Sequence, residues 1–89
     1  MAKVEIIVSG PGSQDEVDLQ VDGEHINPTS RWTFVFYRNE ACSYILRIAT
    51  RAPQVAYTMT IKIDGTTDTT ESGQTNASGQ ATESGHILI

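Results

Sequence analysis

The sequence predicts an all-β protein, built as a single small antiparallel β-sandwich or a small open barrel of about six to seven strands. Three observations support this prediction. Apolar and polar residues alternate with a period of two in several segments, and turn-forming pairs such as Asp22-Gly23 and Asp64-Gly65 separate these segments. No segment between them suits the helix that a parallel crossover requires. The 89 residues fit one domain, spanning 1–89.

The first two strands are predicted from the alternation near the N-terminus. Every second residue is apolar in KVEIIVS, residues 3–9, and the following Gly-Pro-Gly ends this strand because proline offers no ladder donor. Residues 15–24, DEVDLQVDGE, alternate between an apolar face and a mainly acidic face, which is typical of a strand with one buried side. A short edge piece is expected around His25 and Ile26.

Three further strands follow. Residues 31–38, RWTFVFYR, are apolar on both faces and are expected to form a central strand. Residues 44–50, YILRIAT, form the next strand, which ends before Pro53. Residues 54–64, QVAYTMTIKID, give the longest alternation and predict a half-buried strand. Its apolar face consists of Val55, Tyr57, Met59, Ile61 and Ile63.

The aromatic third strand resembles that of immunoglobulin-like sandwiches. Trp32 shares a face with Phe34 and Phe36, so its indole is expected to pack in the core. Immunoglobulin domains flank such a tryptophan with paired cysteines, whereas Cys42 is the single cysteine of this chain. The likeness is therefore restricted to an immunoglobulin-like general shape, and it assigns no family.

Residues 66–86 are rich in Thr, Ser, Gly and Gln and are predicted to form a long flexible polar loop before the last strand. Ordering costs about 1–2 kcal/mol per residue, and this segment has little apolar surface to offset it. Only its start, up to Thr70, is expected to fold back as a hairpin. The apolar end, Ile87 to Ile89, is expected to dock as an edge or closing strand; left free, it would be able to add to another sheet edge.

Charge and hydropathy exclude several classes of partner. The net charge of −5 repels polyphosphates, so no nucleic-acid partner is expected. No apolar run approaches the length of a membrane span, and the N-terminus lacks a signal-peptide core, so the sequence predicts no membrane partner and a cytoplasmic protein, with non-classical export as the alternative.

No catalytic, cofactor or metal site is predicted. Cys42 with His25 or His86 is the candidate thiol–imidazole pair, but no motif surrounds these residues, and a Cys-dependent enzyme ranks third among the functions considered. The acidic stretch from Asp15 to Glu24 is expected to be a solvated strand face, with calcium binding as the alternative.

The leading functional hypothesis is a non-enzymatic binding or assembly module. It would act through protein–protein contacts, with a partner or by self-association, at sheet edges or loops. The alternative is a module that binds a carbohydrate or another small ligand through its strand-connecting loops. The candidate binding surface comprises Tyr37, Arg31, Arg47, Ile87, Leu88 and Ile89.

Overall fold

The computed structural model describes residues 1–89 and consists of eight strands in two antiparallel sheets, without a helix. The prediction of an all-β antiparallel fold is therefore confirmed, although the strand count exceeds the expected six to seven. The strands are β1 (Ala2–Ser9), β2 (Glu16–Val21), β3 (Glu24–Ile26), β4 (Thr33–Arg38), β5 (Cys42–Ala49), β6 (Ala56–Ile63), β7 (Thr66–Gln74) and β8 (Gln80–Ile87).

Each sheet contains four strands. The first sheet has the order β4-β1-β6-β7 and the second has the order β3-β2-β5-β8. Two hairpins, β2–β3 and β6–β7, stay within a sheet, and the other connections cross between the sheets.

The two hairpin turns are alike. Asp22 and Asp64 have φ angles of 51° and 50°, and each is followed by a glycine with positive φ. Their carboxylates accept the backbone N–H groups of Ser43 and Lys3, which ties each turn to the neighbouring strand.

The core lies between the sheets and draws on both. Alternate residues of β1 and β6 from the first sheet, and of β2 and β5 from the second, are buried in one continuous cluster. Its fully buried members include Ile6, Leu19, Phe34, Leu46 and Met59. The Cα radius of gyration is 12.5 Å, close to the roughly 12 Å of a compact chain of this length. The structure contains no helix with the length and hydrophobicity needed to cross a bilayer.

The two-sheet arrangement fits a sandwich rather than a barrel, but its connectivity is not that of an immunoglobulin domain. Immunoglobulin domains pair their first strand with their second, whereas β1 pairs with β4 and β6. The two sheets are also separate, so the chain does not form the single rolled sheet of an open barrel.

Strand β4 is an edge strand, so the prediction that residues 31–38 form a central strand is wrong. Its partner in the first sheet is β1 alone. Phe34 and Phe36 are buried, but on the second face Val35 is only half-buried and Tyr37 is exposed, because nothing covers the outer face of this sheet. Trp32 lies just before the strand, half-buried against the core, and its indole N–H has no partner.

The predicted long polar loop is replaced by two strands. Strand β7 pairs with β6 over its whole length, with one bulge near its start, and β8 pairs with β5 from Gln80 to Ile87. The predicted hairpin after Asp64 therefore forms, but it extends well past Thr70. The docking expectation for the apolar end holds for Ile87, which is 1% exposed, while Leu88 and Ile89 lie beyond β8 and are exposed.

The crossing from β7 to β8 is short and held by polar contacts. Thr75 is 1% exposed, and its hydroxyl accepts the N–H of Val55 and lies 3.0 Å from the Thr50 hydroxyl. The Asn76 side chain accepts the backbone N–H groups of Ser78 and Gln80. These bonds satisfy backbone groups that a mobile loop would leave to water.

Gly79 provides a test of this crossing. Its φ is +76°, and a Cβ atom added there would lie 2.1 Å from the Thr50 carbonyl oxygen. Gly65 has a similar φ of +83°, but an added Cβ would meet no atom within 4 Å. We expect Gly65→Ala to cost about 1–2 kcal/mol of unfolding free energy from backbone strain, and Gly79→Ala to cost clearly more. Chemical denaturation measures both, and equal losses would contradict the tight packing of the crossing on Thr50.

Candidate binding surface at the open edge

One side of the molecule is formed by β7 and β8, the edge strands of the two sheets. Cross-strand partners share a face of a sheet, so the residues beside buried core positions point between the sheets. Glu71 is paired with Met59 and Glu83 with Leu46. Each sheet therefore directs one glutamate of its edge strand toward the space between the layers.

A glycine follows each of these glutamates two residues later, and a tyrosine covers it. Gly73 pairs with Tyr57, and Gly85 pairs with Tyr44. A Cβ atom on Gly73 would lie 2.8 Å from the Tyr57 hydroxyl oxygen, and one on Gly85 would lie 3.2 Å from that of Tyr44. The two tyrosine rings thus extend over the glycines toward the open edge and take the space that larger side chains would fill.

A hydrogen bond links the two sheets at this edge. The Tyr57 hydroxyl on β6 donates to Glu83 Oε2 on β8 across a distance of 2.5 Å. Burial, this hydrogen bond and the charges of Glu83 and Glu71 raise the pKa of Tyr57 to about 12. The tyrosine therefore stays neutral and keeps its role as a donor over the physiological pH range.

Tyr44 occupies the equivalent place in the second sheet but forms no hydrogen bond. The residue is only 6% exposed. Burial first, and then the charges of Glu83 and Glu71, raise the pKa of Tyr44. Strand register places Tyr57 and Glu71 on the inner face of the first sheet and Tyr44 and Glu83 on that of the second, and the Tyr57–Glu83 bond joins the two pairs. We call Tyr44, Tyr57, Glu71 and Glu83 the edge cluster.

The surface predicted from the sequence is divided between distant parts of the molecule. Tyr37 is exposed near the end of β4, and Leu88 and Ile89 follow β8. The pairs Ala2–Arg38 and Cys42–Ile87 bring these positions to the same end of the two sheets, where Met1 is also exposed. Ile87 itself belongs to the core.

The two predicted arginines lie elsewhere. Arg31 donates to the Ser13 carbonyl, and its guanidinium lies 5.3 Å from the centroid of the Trp32 ring. Those contacts join the β1–β2 connection to the start of β4. Arg47 projects from the outer face of the second sheet between Asp18 and Thr82, its ladder neighbours, and has no ion-pair partner. A depression of about 390 Å³ surrounds it.

The cysteine and histidines are not brought together. Cys42 is 4% exposed and faces the core, where burial raises its pKa. His25 pairs with Asp18 at 2.8 Å, and His86 lies 2.9 Å from the Ser43 hydroxyl, both on the outer face of the second sheet.

In the acidic stretch from Asp15 to Glu24, the Asp15 carboxylate accepts the backbone N–H groups of Gly12 and Arg51. No three His, Cys, Asp or Glu residues form a group that could hold a metal ion.

Reasoning from hydropathy missed the edge cluster because its inward positions are glutamates and glycines. A short repeat in the sequence was the signal that could have located it. The tetrapeptide Thr-Glu-Ser-Gly occurs at 70–73 and again at 82–85. Each copy places its glutamate and glycine beside equivalent positions of β6 and β5. The repeat therefore marks two strands with the same pattern of neighbours.

The raised pKa of Tyr57 predicts an alkaline loss of stability. Its folded-state pKa of about 12 exceeds the ordinary value of 10.0, so its contribution is fully present below about pH 10 and is lost as the pH rises through about 12. The free energy of unfolding, measured by denaturation over this range, should fall less steeply in Tyr57→Phe. The exposed Tyr37→Phe is the matched control and should follow the unaltered protein. A Tyr57→Phe profile that coincides with that of the control would contradict the assignment.

The chain has no match that would supply a function. Comparison with models of known protein families, with curated protein sequences and with solved structures found none. The edge cluster is the place where unusual side chains converge.

Proposed function

We propose that this protein is a non-enzymatic β-sandwich module that binds a protein partner by accepting an additional strand at the free edge of β7. One observation carries this proposal. Strand β7 is a nine-residue edge strand, and every residue except Thr69 is exposed. Its free edge offers a row of backbone N–H and C=O groups with no partner in this chain.

Of the four edge strands, β7 is the longest and the most exposed; β8 has eight residues, of which Ala81, Glu83 and Gly85 are half-buried and Ile87 is buried. Strand β3 has three residues, too few for an extended ladder. Strand β4 carries a bridge from Ser30 to Thr33 and the Arg31 contact near its start. Strand β7 contains no proline or lysine, which commonly protect sheet edges. Its bulge lies at the start, and the pairing from Thr69 to Gln74 is regular.

Strand addition would also explain the division of roles on β7. Backbone hydrogen bonds supply affinity in this mode of recognition, while alternate side chains supply specificity. The outward-facing residues of β7, including Thr70 and Ser72, are small and polar and suit a solvated sheet face. The inward-facing residues, Glu71 and Gly73, would lie beside the inward-facing side chains of an added strand.

A display library of random nine-residue peptides, selected on the intact protein, tests the proposal. We expect the recovered peptides to shift the backbone amide resonances of β7 and to slow their hydrogen exchange. Peptides N-methylated at the amides that face β7 should bind at least about tenfold more weakly, because the ladder bonds cannot form. Recovered peptides that bind elsewhere, or that tolerate this methylation, would overturn the proposal. Protection of β7 without peptide at high protein concentration would instead identify a second copy as the added strand.

The depression around Arg47 favours a second candidate function, binding of a carbohydrate or another small polar ligand. Its lining combines a cation, two carboxylates, an amide and a hydroxyl on one sheet face, and such groups hydrogen-bond polyhydroxylated ligands. The polar members are Glu16, Asp18, Arg47, Gln80 and Thr82.

A glycan array tests this candidate. We expect a sugar that binds here to lose at least about tenfold in affinity with Arg47→Met, which keeps much of the side chain but removes the guanidinium. Arg51→Met, an exposed arginine outside the depression, is the control. An array without a binding glycan, or a ligand insensitive to Arg47, would remove this candidate.

A further inference from the structure

The open edge carries negative charge only. Strands β7 and β8 contain Asp68, Glu71 and Glu83 and no lysine or arginine. Neither salt bridge of the protein involves these carboxylates. Glu71 has no hydrogen-bond partner, and Glu83 has the Tyr57 hydroxyl alone. Two carboxylates from opposite sheets thus share one space without a cation.

Tyr44 independently offers an unpartnered acceptor to this space. Its side chain is more than nine-tenths buried, and its hydroxyl is directed over Gly85 at the edge without a hydrogen-bond partner. The hydroxyl oxygen itself is not enclosed, because the one enclosed polar side-chain atom without a partner is the Trp32 indole nitrogen, so a donor can reach the Tyr44 oxygen from the open edge. A donor entering between the sheets would find three acceptors there: the Tyr44 hydroxyl oxygen and the carboxylates of Glu71 and Glu83.

Strand register determines which residue of an added strand would reach this place. On the inner face of the first sheet, Met59 and Glu71 lie in one cross-strand row. A strand paired with β7 would continue this row with one inward-facing side chain beside Glu71. The bond from Tyr57 to Glu83 brings the second carboxylate toward the same inner face. The flanking inward positions would lie beside Thr69 and Gly73, where small or apolar residues fit.

We propose that the strand accepted by β7 carries a lysine or arginine in this row, with its ammonium or guanidinium held by the edge cluster. This inference rests on the proposed strand addition and specifies its partner. The cation would bond the two carboxylates and the Tyr44 hydroxyl, which are all acceptors, while Tyr57 keeps its bond to Glu83.

The partner is a different chain rather than a second copy. This protein carries a net charge of −5, so copies repel one another. Two β7 strands paired with each other would also bring like charges together, because β7 contains acidic residues and no basic ones. A basic strand of another protein has the complementary charge.

A pair of synthetic peptides tests the cation directly. The probe is the capped peptide Thr-Val-Thr-Lys-Thr-Val-Thr, whose central lysine and flanking valines fall on one face; the comparison peptide has norleucine in place of lysine. Titration of the intact protein, followed by the amide resonances of β7, gives both dissociation constants. We expect the lysine peptide to bind at least about tenfold more tightly, and added salt to reduce this advantage.

Variants of the cluster assign the effect to its carboxylates. Glu71→Gln and Glu83→Gln preserve shape and, for residue 83, an acceptor for Tyr57. Each should remove most of the preference for lysine without weakening norleucine binding, because a neutral amide costs less to desolvate than a carboxylate. Glu5→Gln makes the same change of charge on the opposite face of the first sheet and is the matched control.

The outcomes separate the two proposals. Equal binding of both peptides at β7 would overturn the cation site and leave strand addition standing. A lysine preference that survives both glutamine variants would likewise overturn the assignment to the edge cluster. Absence of β7 shifts with either peptide would remove strand addition, and the cation site with it.

Discussion

Strands β7 and β8 bring few apolar side chains to the space between the sheets, so the two tyrosines have to close that side of the core. Tyr57 and Tyr44 lie over Gly73 and Gly85, where the absence of a side chain lets each ring extend toward the edge. Glycine weakens a strand because it has nothing to pack, and here the aromatic ring from the neighbouring strand takes that place. The buried ring surface stabilises both edge strands against the core.

The bond from Tyr57 to Glu83 gives the two edges a connection that packing alone would not provide. Each edge strand pairs with its own sheet, and the tyrosine hydroxyl reaches across to the other. A neutral hydroxyl donating to a carboxylate forms a strong, short bond. The same contact keeps one glutamate from being isolated in a partly apolar environment, where an unpaired charge would be costly.

How much of the fold could be predicted depends on what each strand buries. The alternation in β1, β2, β5 and β6 predicts their buried faces, because their inward positions hold aliphatic or aromatic residues. Strand β4 also alternates, but the sequence does not show whether the strand pairs with one neighbouring strand or with two. In β7 and β8 the inward residues are Thr69, Glu71 and Gly73, then Ala81, Glu83 and Gly85. Such positions have no hydrophobic period to detect.

The order of residues 66–86, where the sequence predicts a mobile loop, has a related cause. Residues 66–86 contain little apolar surface of their own, but they are ordered by partners outside the segment. Thr75 is anchored by Val55 and Thr50, and β8 gains a ladder of pairs along β5. In the candidate surface, the exposure of Tyr37 and Arg47 was predictable, because side chains alternate between the two faces of a strand. The approach of Glu71 to Tyr44 was not predictable, because it depends on the order of strands in two sheets.

The edge glutamates also bear on selectivity. An inward-pointing charge at a sheet edge discourages pairing with other strands, because a neutral strand would desolvate it without compensation. With strand addition as proposed, Glu71 would have this effect on β7, which otherwise presents a long free edge. A strand that brings its own cation to the same row removes the penalty and gains charge-assisted hydrogen bonds. Discrimination is a difference between two affinities, so one carboxylate row can both reject neutral strands and favour a basic one. The ordinary protection of a sheet edge and the recognition of a partner would then share the same side chains.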